Sequence, residues 1–279
     1  MKILITGTNG QVGHALINTL TEHELIPITR NECDLINLDQ LKRTIDQHQP
    51  DLIINSAAYT QVDQAEEEEE LAFLINSDAP RVMAEKAREH DIPLIHFSTD
   101  YVFDGVKEVP YTETDPTNPL GVYGKSKLAG EQAIEGVGGQ PYILRTSWVY
   151  SHIGKNFYLT MKRLSQERDE MRVVSDQFGV PTSSQFISRN IKKMISKLSP
   201  DNAGIYHLVP DGQCTWYDFS REIIEQVNPT FDIKKLLPIN TDQYPTQARR
   251  PKNSVLDNSQ IKSAFMLKFD HWKTELKKL

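Results

Sequence analysis

A tyrosine and a lysine four residues apart could form a proton donor in this chain. Tyr123 and Lys127 belong to the segment Tyr-Gly-Lys-Ser-Lys, and residues four apart on a helix lie on one face. A free phenol has a pKa of about 10, and lowering it by about 3 units needs about 4 kcal/mol. A cation about 4 Å away at an effective dielectric of 20 supplies a similar free energy. The spacing therefore permits proton donation near neutral pH, although Tyr-x-x-x-Lys also occurs on ordinary amphipathic helices.

The glycine-rich segment near the N-terminus has the spacing of a dinucleotide site. Gly7, Gly10 and Gly13 follow an apolar strand pattern over 2–6 and open a helical pattern that extends to about residue 21. Glycines at such a turn let the backbone approach a pyrophosphate, and the helix N-terminus supplies N–H donors and the positive end of its dipole. The order of strand, turn and helix favours a bound dinucleotide over a glycine-rich turn without a ligand.

Apolar runs alternate with helical patterns through the first half of the chain, which is typical of a parallel sheet covered on both faces. The predicted fold class is therefore α/β: a Rossmann-type doubly wound parallel sheet in a domain over 1–147, with a smaller C-terminal α+β lobe over 148–279 that binds the substrate. Later segments could return to the first domain. Strands are predicted at 2–6, 25–29, 51–55, 93–98, 141–146, 172–174, 205–209 and 236–239, and helices at 11–21, 38–48, 67–90, 121–135, 156–168, 184–198 and 216–227.

Ligands bind outside the carboxyl ends of the strands in such sheets. Polar clusters at 7–13, 56–60 and 98–100 follow three predicted strand ends. We therefore expect these clusters to converge on one site.

Composition excludes several classes of protein. The net charge of −7 over 279 residues argues against a nucleic-acid-binding surface. No apolar run approaches the roughly 20 residues that span a bilayer, and no secretory signal is recognisable. Cys33 and Cys214 are expected to be reduced thiols in a cytoplasmic protein. The acidic run Glu66–Glu70 is expected to form the solvated first turn of a helix rather than a metal or partner site.

These motifs together resemble the extended short-chain dehydrogenase/reductase superfamily and, within it, the dTDP-4-dehydrorhamnose reductases. The resemblance runs nearly end to end and includes Ser-Thr-Asp-Tyr-Val-Phe at 98–103 and Arg-Thr-Ser-Trp at 145–148, which are particular to these reductases. It also covers 55–60, 176–182 and 250–254. It implies NADPH-dependent reduction of the C4 ketone of dTDP-4-dehydro-β-L-rhamnose to dTDP-β-L-rhamnose, a step of cell-surface polysaccharide biosynthesis.

The resemblance also implies a role for each matching residue. Tyr123 would protonate the C4 oxygen while the nicotinamide delivers hydride, Lys127 would stabilise the phenolate and bond the nicotinamide ribose, and Thr99 would orient the carbonyl. Besides Tyr123 and Lys127, the expected cofactor-binding residues are Gly7, Gly10, Gln11, Val12, Gly13, Arg30, Asp34, Leu35, Ala58, Tyr59 and Thr60. The expected substrate-binding residues are Thr99, Asp100, Tyr101, Trp148 and Arg250.

Three of these assignments have structural alternatives. Trp148 could be a core aromatic residue, and Asp100 could be a turn residue. Arg250 could make a surface ion pair, and its neighbour Arg249 could serve instead as the cation beside the substrate diphosphate. A planar guanidinium suits phosphate oxygens in either position.

The end of the second predicted strand indicates NADPH over NADH. Folds that prefer NAD place a carboxylate there to hold the ribose 2′-hydroxyl, whereas this chain has Thr29 and Arg30. The family resemblance allows NADH as well.

The resemblance leaves assembly open. Some members of the family form a dimer through Mg²⁺ held partly by a Glu two residues after the third glycine, and this chain has Ala15 there. No metal site is therefore predicted, and both a monomer and a homodimer are compatible with the sequence.

Two competing functions are also compatible with the motifs. One is a sugar-nucleotide epimerase or dehydratase of the same fold, or a reductase for another sugar nucleotide. A dehydratase would need an acid after the Thr-Asp pair, where this chain has Tyr101. The other is a non-catalytic NADP-binding regulatory subunit, against which the joint presence of Thr99, Tyr123 and Lys127 argues.

Overall fold

The computed structural model describes residues 1–279 as twelve strands and ten α-helices. The strands are Lys2–Thr6 (β1), Glu24–Ile28 (β2), Leu52–Asn55 (β3), Pro93–Thr99 (β4), Gln140–Thr146 (β5), Val149–Tyr150 (β6), Met171–Val174 (β7), Phe178–Gly179 (β8), Thr182–Ser183 (β9), Gly204–His207 (β10), Cys214–Thr215 (β11) and Leu236–Ile239 (β12). The helices are Gln11–Thr19 (α1), Leu38–His48 (α2), Glu69–Phe73 (α3), Ala79–Glu89 (α4), Val122–Val137 (α5), Phe157–Glu167 (α6), Ser184–Ile195 (α7), Trp216–Val227 (α8), Ser259–Ala264 (α9) and Trp272–Lys277 (α10).

Six parallel strands form the central sheet, in the spatial order β2-β1-β3-β4-β5-β10. The chain proceeds from β1 outward to β2 and then returns past β1 to β3. The order therefore reverses between β1 and β3, and a crevice forms at the carboxyl ends of strands at such a reversal. This arrangement confirms the predicted Rossmann-type α/β fold class.

Alternating side chains of the strands bury both faces of the sheet. Ile3 and Ile5 of β1 point into a core cluster with residues of α1 and α7, whereas Leu4 points into a second cluster with residues of α2 and α4. Successive side chains of a strand face opposite sides, so a continuously apolar strand fits only between two helical layers.

The C-terminal half forms a third core cluster and also completes the first. The third cluster joins residues of α6, α8, β7, β12 and α10, including Phe219 and Trp272. By contrast, α7, β10, α9 and the segments that follow β10 and α9 supply half of the twenty residues in the cluster that contains Ile3 and Ile5. Segments beyond residue 147 therefore return to the nucleotide-binding sheet, and the division at 147 stays a prediction.

The helix predicted over 67–90 is present from Glu69 to Glu89, but a π-helical turn interrupts it. A 3-10 turn at Gln64–Glu66 is followed by α3, by a π-helical turn at Leu74–Asp78 and by α4. The side chain of Asn76 in that turn accepts from the N–H of Tyr59 at 2.9 Å and donates to the carbonyl of Tyr59 at 3.0 Å. The π-helical turn thus places Asn76 where its side chain pairs the backbone N–H and carbonyl of Tyr59 in the loop after β3. The reason for the wider turn is therefore a contact outside the helix.

The acidic run also differs from the expectation. Glu66 accepts a hydrogen bond from the backbone N–H of Val122 at 2.8 Å, and Glu68 accepts from the hydroxyl of Tyr59 at the same distance. These carboxylates therefore connect separate segments, and the helix begins only at Glu69.

None of the helices combines the length and apolar character that crossing a membrane requires.

Candidate active site

A cleft of about 730 Å³ lies at the carboxyl ends of the sheet strands. The loops after β1, β2 and β3 contribute to its wall, together with the ends of β4 and β5, α5 and the segment after β6. Eleven of the thirteen residues predicted to bind the cofactor line this cleft: Gly7, Gly10, Gln11, Val12, Arg30, Asp34, Leu35, Ala58, Thr60, Tyr123 and Lys127.

Gly13 and Tyr59 do not line the cleft. A Cβ atom on Gly13 would collide with the carbonyl oxygen of Gly7, so this glycine is required by the close packing of the turn on the helix. Tyr59 is buried and its side chain points away, with its hydroxyl donating to Glu68 at 2.8 Å. Its predicted place in the cofactor cleft is therefore wrong for the side chain.

The geometry of the glycine turn suits a dinucleotide. Gly7 has a φ of +70°, and a Cβ there would lie 2.8 Å from the Cα of Ala57 after β3. Gly10 is the N-cap of α1, whose first turn carries no acidic residue. The helix therefore directs unshielded N–H groups and a positive dipole end toward an anion in the cleft.

Two buried hydroxyl groups in the cleft wall lack partners within the protein. The Oγ of Ser98 and the Oγ1 of Thr146 make no hydrogen bond, and both residues line the cleft. Buried polar groups are normally paired. These hydroxyls therefore fit a polar ligand, which agrees with the dinucleotide predicted from the glycine motif.

Tyr123 lies at the junction of two cavities. It lines the cofactor cleft and also a narrow cavity whose wall includes Tyr101. That narrow cavity shares Leu120, Ala248 and Arg249 with a larger cavity of about 860 Å³. Tyr123 therefore lies between the cofactor cleft and the narrow cavity, and the narrow cavity leads to the one of about 860 Å³.

The start of α5 fixes the position of Tyr123. The carboxylate of Glu66 accepts from the N–H of Val122, the first residue of the helix, where negative charge is favoured. A Cβ on Gly124 would collide with the carbonyl of Tyr101, so this helix packs directly against the segment after β4. The ring of Tyr101 meets that of Tyr123 edge to face, with the centroids 5.8 Å apart.

Thr99 and Asp100 lie buried next to Tyr123 without lining the cavities just described. The hydroxyl of Thr99 donates to Asp100 Oδ1 at 3.0 Å, while Asp100 Oδ2 has no partner. Burial raises the pKa of Asp100 to about 7, and hydrogen bonds from Ser254 and Thr99 oppose it. A buried carboxyl with an unpartnered oxygen fits contact with a polar ligand better than a turn alone, and its place at the substrate stays a prediction.

Burial raises the pKa of Tyr123 to about 12, the Thr99 side chain lowers it, and the charge of Asp100 raises it further. This differs from the expectation that Lys127 lowers this pKa. The Lys127 amine instead donates to the carbonyl oxygen of Phe97 at 2.6 Å and lies 3.1 Å from His96 Nε2. Both of these contacts of the Lys127 amine are with residues of β4.

The 860 Å³ cavity is rich in cationic side chains. Lys107, Arg249, Arg250 and Lys252 line it, together with exposed aromatic surface from Phe178 and Tyr244. Arg250 also bonds Asp63 Oδ2 at 2.7 Å and lies 5.9 Å from the Tyr101 ring centroid. The predicted ion pair and the predicted place near an anion are therefore both compatible with its position.

Trp148 lines neither the cleft nor the two cavities. Its ring stacks on Trp216 with centroids 3.6 Å apart and covers Gly179, and the residue has a φ of +46°. The stacked ring therefore has a packing role, and the place of Trp148 as a wall of the substrate pocket stays a prediction. The backbone of Trp148, strained by its positive φ, lies two residues after the end of β5.

Several residues of the cleft were missed in the sequence. Ser98 belongs to the polar cluster predicted at 98–100 but was given no role, and Thr146 stands at the end of β5, where the same strand-end rule could have found it. Lys155 places an exposed cation at the cleft edge. Gln11 accepts hydrogen bonds from Ser151 at 2.8 Å and from Asn156 at 2.9 Å. These contacts connect the glycine turn to the segment that carries Lys155.

The comparisons with known proteins agree with this geometry. A family model described as the RmlD substrate binding domain matches residues 1–279. The dTDP-4-dehydrorhamnose reductase of Burkholderia thailandensis is 40% identical over 98% of this chain and 96% of its own length. The chain belongs to the dTDP-4-dehydrorhamnose reductase family. This membership confirms the predicted family and the prediction of an oxidoreductase.

Solved structures of the dTDP-4-dehydrorhamnose reductase family have the same fold. The protein from Clostridium acetobutylicum superposes with a TM-score of 0.94 at 38% identity, covering 100% of this chain and 98% of its own. The protein from Bacillus anthracis, solved in complex with NADP, superposes with a TM-score of 0.93 at 35% identity, covering 99% of this chain and 97% of its own.

Proposed function

We propose that this protein reduces the C4 ketone of dTDP-4-dehydro-β-L-rhamnose to the C4 hydroxyl of dTDP-β-L-rhamnose, with NADPH as the electron donor. The observation that carries the proposal is the position of Tyr123 between the glycine-lined cleft and the narrow cavity beside the cationic one. Full-length similarity to named dTDP-4-dehydrorhamnose reductases supports the choice of substrate.

The cleft would hold the dinucleotide. The N-terminus of α1 with Gly7, Gly10, Gln11 and Val12 would receive the pyrophosphate, while Asp34 and Leu35 would flank the adenine. When bound, NADPH supplies the hydride that adds to C4. Ser98 and Thr146 would use their free hydroxyls on the ligand.

On the substrate side, Tyr123 gives its phenolic proton to the C4 oxygen, so that the carbonyl becomes a secondary alcohol. The raised pKa of Tyr123, about 12, keeps that proton in place at neutral pH. Thr99 holds the phenol through its hydroxyl, and the Lys127 amine, buried behind them, balances the phenolate that forms.

The cationic cavity would bind the diphosphate and the base of the substrate. Arg250 lines this cavity and adjoins Tyr101 of the narrow one. Arg249 lines both cavities. The guanidinium groups suit the paired oxygens of a diphosphate, and Phe178 and Tyr244 offer aromatic surface to a base.

The preference for NADPH has support at the end of β2. Arg30 lines the cleft with 73% of its side chain exposed and bonds Asp34 at 3.0 Å. The carboxylate of Glu32 is occupied by the N–H of Thr29 at 2.8 Å and also accepts from its hydroxyl. An exposed guanidinium at the cleft and a carboxylate of Glu32 that is already occupied favour a 2′-phosphate over a 2′-hydroxyl.

The decisive test is to supply the purified protein with dTDP-4-dehydro-β-L-rhamnose and NADPH. We expect absorbance at 340 nm to fall by one NADPH per sugar reduced, with dTDP-β-L-rhamnose identified by NMR as the product. An epimerase or dehydratase would regenerate its cofactor and give no net loss at 340 nm. A product with the opposite C4 configuration, or no turnover, would refute the proposed reaction.

A further inference from the structure

His96, a buried histidine with no role in the proposed reaction, contacts Lys127. His96 lies in the middle of β4 and is 1% exposed. Its Nε2 atom lies 3.1 Å from Lys127 Nζ, and its Nδ1 atom lies 2.9 Å from the amide nitrogen of Asn55. Both ring nitrogens are thus engaged on opposite sides of the imidazole.

The neighbours of Asn55 determine which ring nitrogen carries the hydrogen. Asn55 Oδ1 lies 3.2 Å from the backbone nitrogen of Ala57, which can only donate, and it also accepts from the Thr6 hydroxyl at 2.7 Å. The amide oxygen must therefore face Ala57, and the amide NH₂ must face His96. An NH₂ group donates, so Nδ1 of His96 accepts, and a neutral imidazole then has its hydrogen on Nε2.

The hydrogen on Nε2 points at the lysine. A lysine amine can accept a hydrogen bond only through its lone pair, which exists only when the amine is neutral. The same Nζ atom donates to the Phe97 carbonyl at 2.6 Å, which fixes its direction. We infer that His96 is a positioning residue that donates its Nε2 hydrogen to Lys127 and thereby favours the neutral form of that amine.

The burial of Lys127 agrees with this assignment. Burial lowers the pKa of Lys127 to about 8, opposed by the charge of Glu131 one turn along α5. That carboxylate is itself paired with Arg145 of β5, with Oε1 accepting at 2.9 Å and Oε2 at 2.7 Å. Burial and then the charge of Lys127 hold the pKa of His96 well below its ordinary value, so the imidazole stays neutral.

This inference deepens the proposed reductase function, and its kinetic consequence rests on that function. If Lys127 must carry a proton when Tyr123 becomes a phenolate, then kcat/KM falls as the pH rises through the pKa of Lys127. Because a hydrogen-bond donor directed at Nζ favours the neutral amine, it moves the fall in kcat/KM to lower pH. His96 would therefore set the alkaline limit of the reaction without touching substrate or cofactor.

The first experiment measures the tautomer directly and needs no activity. Two-bond ¹H–¹⁵N spectra of the histidine-labelled protein should show His96 as the neutral Nε2–H tautomer from pH 6 to 9. A neutral Nδ1–H tautomer, or an imidazolium in this range, would overturn the inference. This result is independent of whether the proposed substrate is correct.

The second experiment replaces the imidazole by a carboxamide. In His96→Gln the amide oxygen can accept from an ammonium, so we expect the alkaline limb of kcat/KM to move up by about one pH unit, a tenfold change in proton affinity. His207→Gln is the matched control, because His207 is 0% exposed and has no bond to Lys127. An unshifted limb in His96→Gln would overturn the inference, and the tautomer measurement decides the question if that variant does not fold.

Discussion

At the scale of single residues, the proton donor depends on its neighbours more than on its own type. Tyr123 is half-buried, adjoins the Thr99 hydroxyl and the Asp100 carboxyl, and keeps its proton at neutral pH because burial raises its pKa to about 12. A phenol in this state releases its proton only where the acceptor gains negative charge in the same step. The cofactor cleft that Tyr123 lines is where a ketone would meet this phenol.

Removing the phenolic hydroxyl tests this role. In Tyr123→Phe we expect kcat to fall by about 10²–10⁴, the usual contribution of a positioned acid, while NADPH binding measured by fluorescence titration persists. Tyr217→Phe is the control, because the Tyr217 hydroxyl bonds only the Leu236 carbonyl, at 3.3 Å. Near-normal turnover in Tyr123→Phe would remove this residue from its assigned role.

Cofactor choice is also decided at one residue. Arg30 lines the cleft beside Asp34, so Arg30→Asp places a second carboxylate where a 2′-phosphate would lie. We expect kcat/KM for NADPH to drop by about tenfold or more, the effect of about 1.4 kcal/mol or above, and NADH to become the better cofactor. Arg168→Asp, at the exposed end of α6, should leave the ratio unchanged. An unaltered ratio in Arg30→Asp would contradict the proposed preference.

At the scale of elements, the position of α5 depends on close contact with the π-helical turn. A Cβ on Gly130 would collide with the carbonyl oxygen of Asn76, and Asn76 also donates to Ser126 of the same helix at 3.0 Å. The absence of a side chain at 130 thus brings the helix, and with it Tyr123 and Lys127, against the turn.

Two glycine substitutions on α5 separate packing from helix propensity. Gly130→Ala should lower the free energy of unfolding by about 1–3 kcal/mol, because overpacking forces the turn and the helix apart. Gly136→Ala is the control, since nothing lies within 4 Å of the added Cβ, and it should be neutral or stabilising by up to about 1 kcal/mol. Urea denaturation of both variants checks this, and equal effects would refute the packing argument.

The elements that the sequence predicted well are those whose signal is local. The strands of the central sheet are mainly apolar and the glycine turn is read from adjacent residues, so these elements were predicted to within a few positions. The two-residue strands β6, β8, β9 and β11 were not predicted. They are defined only by pairing with distant segments, and no periodicity marks two residues.

The directions of side chains in the site were harder to predict for the same reason. Trp148 stacks on Trp216, and Tyr59 turns toward Glu68, and neither partner can be deduced from the motif that contains the residue. Lys127 was predicted from helical spacing, which is correct for its face, but its contact with His96 crosses from helix to strand. The motifs thus predicted which residues lie near the site, whereas contacts between distant segments determine the direction of their side chains.

At the scale of the whole molecule, Ala15 bears on assembly. It is 8% exposed on α1, the helix that packs against α7, so this position offers no carboxylate to a metal ion. We expect light scattering to give the same molar mass with Mg²⁺ and with EDTA, whether that mass is a monomer or a dimer. A mass that halves in EDTA would show a metal-linked dimer held by other residues.

The two halves of the chain share one core, so they should unfold together. Residues beyond 147 supply half of the twenty buried residues packed on the α1 face of the sheet, among them Phe186, Ile191 and Phe265. Each such side chain contributes about 1.5–3 kcal/mol on burial, and the sum exceeds the roughly 5–15 kcal/mol by which a domain is stable.

A fragment of residues 1–147 should therefore show no cooperative thermal transition by circular dichroism, whereas the full chain should melt in one transition by both near- and far-UV signals. Cooperative melting of the fragment would show that the first domain is autonomous.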